Sequence, residues 1–320
     1  MAEREALVVG AGVIGLTSAI RLQEAGWRVR IWAAEAPERT TSAVAAAIWY
    51  PYRVGPEALV KAWGERSFAV FEELARDGST GVRMLPGIEL LPRRADPHDV
   101  PEWASHIADF RVATGGDIPD GRVGWALTVP VADTGVYLRW LAARFADNGG
   151  MMEIRRVASL AEAAAACPLV VNCSGLGARE LVGDGAMRPV RGQVLRVENP
   201  GLTRFWLDEY HPDGLLYIIP RSGDCILGGT AEEGEEDTTP DMDVSEQIRW
   251  RCAELEPDLA DARLLEHRVG LRPWRPEIRL EAEALPGGAT VIHNYGHGGA
   301  GVTLSWGCAE RIAELASLPR

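Results

Sequence analysis

The alternation of apolar and polar residues predicts a chain that begins as strand, turn, helix and strand. Ala6-Leu7-Val8-Val9 is an unbroken apolar run, the pattern of a strand buried on both faces of a parallel sheet. After the turn Gly10-Ala11-Gly12-Val13-Ile14-Gly15 the period lengthens. Val13, Leu16 and Ile20 recur at helical spacing, predicting a helix from about Val13 to Ala25 with Gly26 as its stop. Val29-Arg30-Ile31-Trp32 then reads as a second strand. From about Tyr50 to Pro130 the periodicity is weak and Pro, Gly and Trp are mixed through it, as expected of a second domain inserted into the first. The α/β pattern returns at Asp133-Thr134, an N-cap before Val136, Trp140, Leu141 and Phe145, and continues through the strands Met152-Glu153-Ile154 and Leu169-Val170-Val171-Asn172. Between Met187 and Arg268 hairpins take over. Leu215–Ile219 and Cys225–Leu227 flank the turn Arg221-Ser222-Gly223-Asp224, and the acidic run Glu232–Asp237 reads as a solvated loop. Val291-Ile292-His293 and a helix from about Thr303 to Ala316 rejoin the first domain.

This pattern predicts an α/β fold: a Rossmann-like nucleotide-binding domain made of 1–50, 131–186 and 281–320, interleaved with a mixed β-sheet domain made of 51–130 and 187–280. At 320 residues the chain is long enough to bury a sizeable core. Its net charge of −13 argues against a nucleic-acid groove or an anionic membrane surface as partner. No apolar run reaches the ~18 residues that would suggest a membrane span. The start, Met1-Ala2-Glu3-Arg4-Glu5, lacks the pattern of a secretory signal, and Ser317-Leu318-Pro319-Arg320 is not a peroxisomal address, so a cytoplasmic protein is expected. The five cysteines are scattered without metal-ligand spacing, so no metal site is expected and they read as buried free thiols, with a single bridge left open. Assembly into a homo-oligomer is also left open.

Gly10-x-Gly12-x-x-Gly15 follows a strand and opens a helix, the context in which this motif binds a dinucleotide. Gly10 allows the tight turn, Gly12 lets backbone approach a pyrophosphate, and Gly15 lets helix and sheet pack closely. The intervening Ala11, Val13 and Ile14 bring their N–H groups to the same helix end. An acid is expected about 20 residues on to hold the ribose. Glu35, after Ala34, is the candidate, and it reads equally well as a surface acid. Val170-Val171-Asn172-Cys173-Ser174-Gly175 resembles the second nucleotide-contacting turn of FAD oxidases, which favours FAD over NAD.

The most specific stretch runs from Val291 to Ala309, with His293-Asn294-Tyr295-Gly296-His297-Gly298-Gly299-Ala300-Gly301-Val302-Thr303 at its centre. It resembles the signature of the D-amino-acid oxidase family throughout. So do the N-terminal turn, Val44–Tyr52 and Val269–Leu280, and these blocks lie in order across almost the whole chain. The resemblance implies noncovalent FAD, with Thr40, Thr41, Ser42, Ala46, Ala47 and Ile48 contacting the flavin side and Val157 and Ser174 the adenosine and pyrophosphate side. Gly298, Gly299, Ala300, Gly301, Val302 and Thr303 would line the pyrimidine edge of the flavin, where a helix N-terminus favours negative charge. His293 and His297 read as turn or packing residues.

For the substrate, the resemblance implies that Arg272 grips an amino-acid carboxylate, a task suited to the planar guanidinium fork. Tyr217 would add its hydroxyl, and the Gly299 carbonyl would accept from the amine. Arg275 and Arg279 read as salt-bridge partners. The implied reaction is FAD-dependent oxidation of neutral D-amino acids by molecular oxygen, yielding 2-oxo acid, ammonia and hydrogen peroxide. D-aspartate oxidation and glycine or sarcosine oxidation are the alternatives. D-aspartate oxidases carry an Arg shortly after the Leu-Gly-Gly of the hairpin, where this chain has Ala231 and then acids, and Arg221 reads as a solvated turn residue. The chain departs from vertebrate-type members before Tyr217, where Asp208–Leu216 is shorter than their lid and Asp213 replaces a tyrosine. Tyr210 is the only substitute at hand.

Overall fold

A computed structural model describes residues 4–318, so the readings of Met1-Ala2-Glu3 and of Pro319-Arg320 lie outside the described residues. The chain forms two units, each visited more than once: the first takes the chain up to Val70, Thr134–Pro189 and everything from Arg272, and the second takes Phe71–Asp133 and Val190–Leu271. Two of these borders shift by three residues from the expected ones, and two shift by more. The first segment runs to Val70 instead of ending at residue 50 because the helix Glu57–Leu74 lies against the C-terminal helix Gly301–Ser317. Gly307 N donates to Ser67 Oγ at 2.9 Å, and a Cβ on Gly307 would stand 2.2 Å from the Trp63 carbonyl oxygen. The last segment starts at Arg272 instead of 281 because Gly298 N donates to the Pro273 carbonyl at 2.9 Å and Trp274 pairs with His297.

In the first unit, the strands Thr290–His297, Leu169–Asn172, Glu5–Val9, Arg28–Ala33 and Met151–Ile154 lie side by side in that order, all parallel. Leu7, Val8, Leu169, Val170, Val171, Val291 and Ile292 are buried, as parallel strands covered on both faces require. The helix Val13–Glu24 joins the first two strands in sequence and packs on the C-terminal helix, where Thr17 Oγ1 donates to the Ser305 carbonyl. Gly26, in the left-handed region, ends it as expected. In the helix Thr134–Asp147 the buried positions are Thr134, Tyr137, Leu138, Leu141 and Phe145, while Val136 and Trp140 are only partly covered.

The second unit is a mixed sheet in the order Arg111–Val112, Val123–Ala132, Val82–Leu91, Phe205–Asp208, Leu216–Pro220, Cys225–Gly228 and Arg188–Val197. Neighbours are antiparallel except for Val82–Leu91 beside Phe205–Asp208. Leu195, Val197, Trp206, Leu216, Ile218 and Leu227 share one core with Ile248 and Cys252 of the helix Met242–Leu255. Strand alternation therefore turns Tyr217 and Ile219 to the opposite face. The acidic run is not wholly a loop. Glu232–Glu233 forms a short strand paired with Val190–Arg191, because the buried Arg191 guanidinium draws in the Glu232 carboxylate at 2.8 Å.

Candidate functional site

The glycine-rich turn is built by close approaches that side chains would block. Gly10 has φ +114°, and a Cβ there would lie 2.4 Å from the Cys173 carbonyl oxygen; one on Gly15 would lie 2.0 Å from the Gly10 carbonyl oxygen. These two glycines serve the fold. Gly12 differs, because its nearest neighbours would be the hydroxyl of Ser42 at 3.1 Å and Thr40 at 3.9 Å, and its φ of −71° is open to any residue. What meets the missing side chain is a polar wall. Gly12 caps the helix without a side-chain bond and the first turn holds no acid, whereas the helix Met242–Leu255 is capped by Asp241. Apart from Val13 N, which donates to Ser42 Oγ, such a helix start leaves N–H groups and a positive dipole end for an anion.

The turn gathers several of the predicted cofactor residues. Val13 N donates to Ser42 Oγ at 3.0 Å, tying Thr40-Thr41-Ser42 to the helix start. Ser174 lies beside Gly10 and donates its hydroxyl to Asn172 Oδ1 at 2.7 Å. Asn172 Nδ2 in turn meets His293 Nδ1 at 3.3 Å, and His293 Nε2 reaches Glu283 at 3.1 Å. Val157 packs on the cluster of Leu7, Val9 and Trp32. Ala34 and Glu35 follow the second strand and are exposed. The segment Ala46-Ala47-Ile48 is pinned from the C-terminal helix, since Thr303 Oγ1 accepts from Tyr50 N at 3.0 Å and donates to its carbonyl at 2.9 Å. Ala47 there holds φ +57°.

The second helix start repeats the logic of the first. Gly301–Ser317 begins after Ala300 with no side-chain cap and no acid in its first turn. Gly298, Gly299 and Ala300 form the turn into it, with Gly298 at φ +54°, and Gly301 and Val302 are its first residues. His297, just before, is buried and its Nε2 has no hydrogen-bond partner among the described residues; burial pulls its pKa down to about 3. His293 is also held below its usual value, chiefly by burial. Both imidazoles are neutral packing groups at ordinary pH. A cradle that a Cβ at Gly12 would enter, two uncapped helix starts and a hydroxyl wall fit a dinucleotide such as FAD.

Arg272 and Gly299 come together in the same unit. A Cβ on Gly299 would stand 2.8 Å from Tyr52 Cδ1 and 3.7 Å from Arg272 Cδ, so backbone, aromatic ring and arginine stem share one spot. Gly299 is itself exposed and Arg272 half-buried. Sequence reasoning gave Tyr52 no part; the signal was its place at the end of the Val44–Tyr52 block. Arg275 pairs with Asp184 at 3.0 Å, and Arg279 with Glu281 at 2.7 Å and Glu283 at 2.9 Å, so both are salt-bridge residues within the first unit.

In the second unit, the Tyr217 ring lies over a floor of two glycines that the sequence reading left without a role. A Cβ on Gly228 would stand 2.0 Å from Tyr217 Cζ, and one on Gly229 2.9 Å from its hydroxyl oxygen. A Gly-Gly pair ending an apolar strand is the recognisable signal of such an approach. Arg221 corrects its expectation: it is buried, not solvated, because both oxygens of Asp224 bind it, at 2.6 and 2.8 Å. The Arg191 guanidinium binds Glu232, Gln193 and the carbonyls of Asp237 and Thr239. Tyr210 is 58% exposed.

Comparison with known proteins gives matches over nearly the whole chain. The profile of the family described as FAD dependent oxidoreductase matches residues 5–315. A D-amino-acid oxidase of Rubrobacter xylanophilus is 57% identical over 312 residues, covering 97% of this chain and 95% of that protein. One of Streptomyces coelicolor is 51% identical over 317 residues, covering 98% and 97%. Among solved structures, glycine oxidase from Geobacillus kaustophilus superposes with a TM-score of 0.83 at 21% identity, covering 98% of this chain and 95% of that one, a likeness of fold.

Proposed function

This chain belongs to the D-amino-acid oxidase family of FAD-dependent oxidoreductases, and from that premise we propose that it oxidises neutral D-amino acids to 2-oxo acids, ammonia and hydrogen peroxide. The observation that carries the reading is the meeting of Arg272 with the exposed backbone of Gly299 beside Tyr52. An arginine stem beside exposed glycine backbone would let a guanidinium fork meet an α-carboxylate while a backbone carbonyl accepts from the α-amine.

Bound FAD would supply the acceptor for a hydride leaving Cα and would pass the electrons to oxygen. In this reading the Gly10–Gly15 turn, Thr40–Ser42, Ala46–Ile48, Val157, Ser174 and Gly298–Thr303 hold the cofactor, with Ala34 and Glu35 on its ribose side. Arg272 clamps the carboxylate, Tyr217 donates a hydrogen bond to it, and the Gly299 carbonyl accepts from the amine. Fixing carboxylate and amine leaves one hand of amino acid with its Cα hydrogen correctly aimed, so orientation is the main contribution of the protein. The amine reacts neutral, with its lone pair assisting loss of hydride, and no side-chain base is needed.

The preference for neutral side chains rests on the hairpin. Thr230 is tied to Gln193, Ala231 follows, and the nearby buried guanidinia of Arg191 and Arg221 are bound by Glu232 and Asp224. A second carboxylate gains little from cations already paired with acids. A cytoplasmic location belongs to the same proposal: all five cysteines are buried and free, as suits a reducing compartment. Among the described residues no helix is long and apolar enough to cross a membrane. The only partners proposed are the amino acid and oxygen, with a homo-oligomer compatible. The experiment that tests the reading is peroxide release from a panel of D-amino acids, glycine and sarcosine, in which D-alanine and D-asparagine are to outperform D-aspartate, glycine and sarcosine.

A further inference from the structure

Arg251 stands on the buried face of the helix Met242–Leu255 and is 7% exposed. Its Nη1 donates to the Asp213 carbonyl at 2.5 Å, and its Nη2 donates to the carbonyls of Leu215 and Gly229 at 3.3 Å each. Gly229 N donates to the Leu215 carbonyl at 2.8 Å, and Cys252 Sγ lies 3.7 Å from the Tyr217 carbonyl oxygen. One buried cation therefore joins the chain entering the Tyr217 strand to the glycine floor beneath the Tyr217 ring. The loop is shaped to admit it. Gly214 has φ +109°, and a Cβ there would lie 3.4 Å from Arg251 Nη1.

Burying a guanidinium costs several kcal/mol unless its hydrogen bonds are made. Its planar fork reaches three carbonyls on two separate segments at once, while Nε finds no hydrogen-bond partner among the described residues. We propose that Arg251 is a positioning residue for substrate binding: by tying Asp213, Leu215 and Gly229 it fixes the Tyr217 ring over Gly228 and Gly229, and so sets where the hydroxyl meets the substrate carboxylate. The inference rests on the reading that Tyr217 binds that carboxylate.

The test is a double-mutant cycle on the holoenzyme. Arg251→Met and Arg251→Lys are made in the natural chain and in Tyr217→Phe. KM and kcat for D-alanine are measured, together with Ki for propionate, which keeps the carboxylate and lacks the amine. Acting only through the hydroxyl, Arg251→Met is to raise KM and Ki by about fivefold, no more than Tyr217→Phe does, with kcat within about twofold. In the Tyr217→Phe background the same change is to add less than about 1.5-fold. Unchanged KM and Ki alongside a lowered Tm would make Arg251 a merely structural residue, and an equal rise in both backgrounds would disconnect it from Tyr217. Either result overturns the proposal. If Tyr217→Phe alone moves neither KM nor Ki, the reading of Tyr217 fails first and is recognised separately. Should Arg251→Met fail to fold, Arg251→Lys and Gly214→Val, which crowds the guanidinium, provide the same comparison.

Discussion

Arg272 carries the sharpest expectation at the scale of single residues. Arg272→Leu should leave FAD bound and lower kcat/KM by more than about a hundredfold, since a desolvated carboxylate clamp contributes roughly 3 kcal/mol. Arg272→Lys should recover little, because a point charge cannot reproduce the fork. Steady-state kinetics with a flavin spectrum of each variant checks both claims; near-normal turnover of Arg272→Leu would remove it from the site. Tyr217→Phe should be milder, about 1 kcal/mol for one neutral hydroxyl. Candidate residues could be named at this scale because the blocks around Gly10, Ala46, Arg272 and Gly298 are contiguous motifs. Arg221 was misread because its partner Asp224 completes a buried ion pair across a turn, and a turn's polar residues look solvated in sequence. Gly228, Gly229 and Arg251 went unassigned because their meaning lies in what packs over them, not in spacing.

Elements were legible where one face stays apolar. The helix Glu57–Leu74 was lost in a segment of weak periodicity, although its buried positions Val60, Trp63, Gly64, Ser67, Phe68, Phe71 and Leu74 keep a helical period. Gly64 and Ser67 occupy two places in that stripe: a Cβ on Gly64 would lie 3.4 Å from Trp49 Cζ2, and Ser67 Oγ accepts from Gly307 N at 2.9 Å. Small residues at a helix contact erase the hydrophobic signal that would report it. The glycine turn yields a prediction at this scale. Gly12→Val should lose FAD while circular dichroism remains that of a folded protein, since only a hydroxyl wall faces its Cβ. Gly15→Val should fail to fold, since its Cβ would overlap backbone. Flavin retained by Gly12→Val would place the cofactor elsewhere. With no cysteine or histidine placed by motif to bond the flavin, acid precipitation should release it completely.

Acid sensitivity is a property of the whole molecule. The native fold keeps His297 unprotonated down to about pH 3 and holds His293 below its usual range. In the unfolded chain both take protons near pH 6.5. The unfolded state thus binds more protons as pH falls below about 6.5, and stability declines with it. The depressed carboxyls of Glu283 and Asp184, paired with His293, Arg279, Tyr295 and Arg275, add their own loss as pH falls through the lower carboxylate range. Tm should therefore drop between about pH 7.5 and 5.5, and His297→Leu should drop less over the same interval. A His297→Leu variant with the full wild-type slope would show that the buried imidazole is not responsible.

The central claim, that this flavoprotein oxidises neutral D-amino acids, is tested most directly by peroxide release from the purified holoenzyme with D-alanine, L-alanine and D-aspartate. The account predicts rapid peroxide formation with D-alanine, none above background with L-alanine, and a lower kcat/KM for D-aspartate. Silence with D-alanine, or equal or better use of D-aspartate, would contradict it.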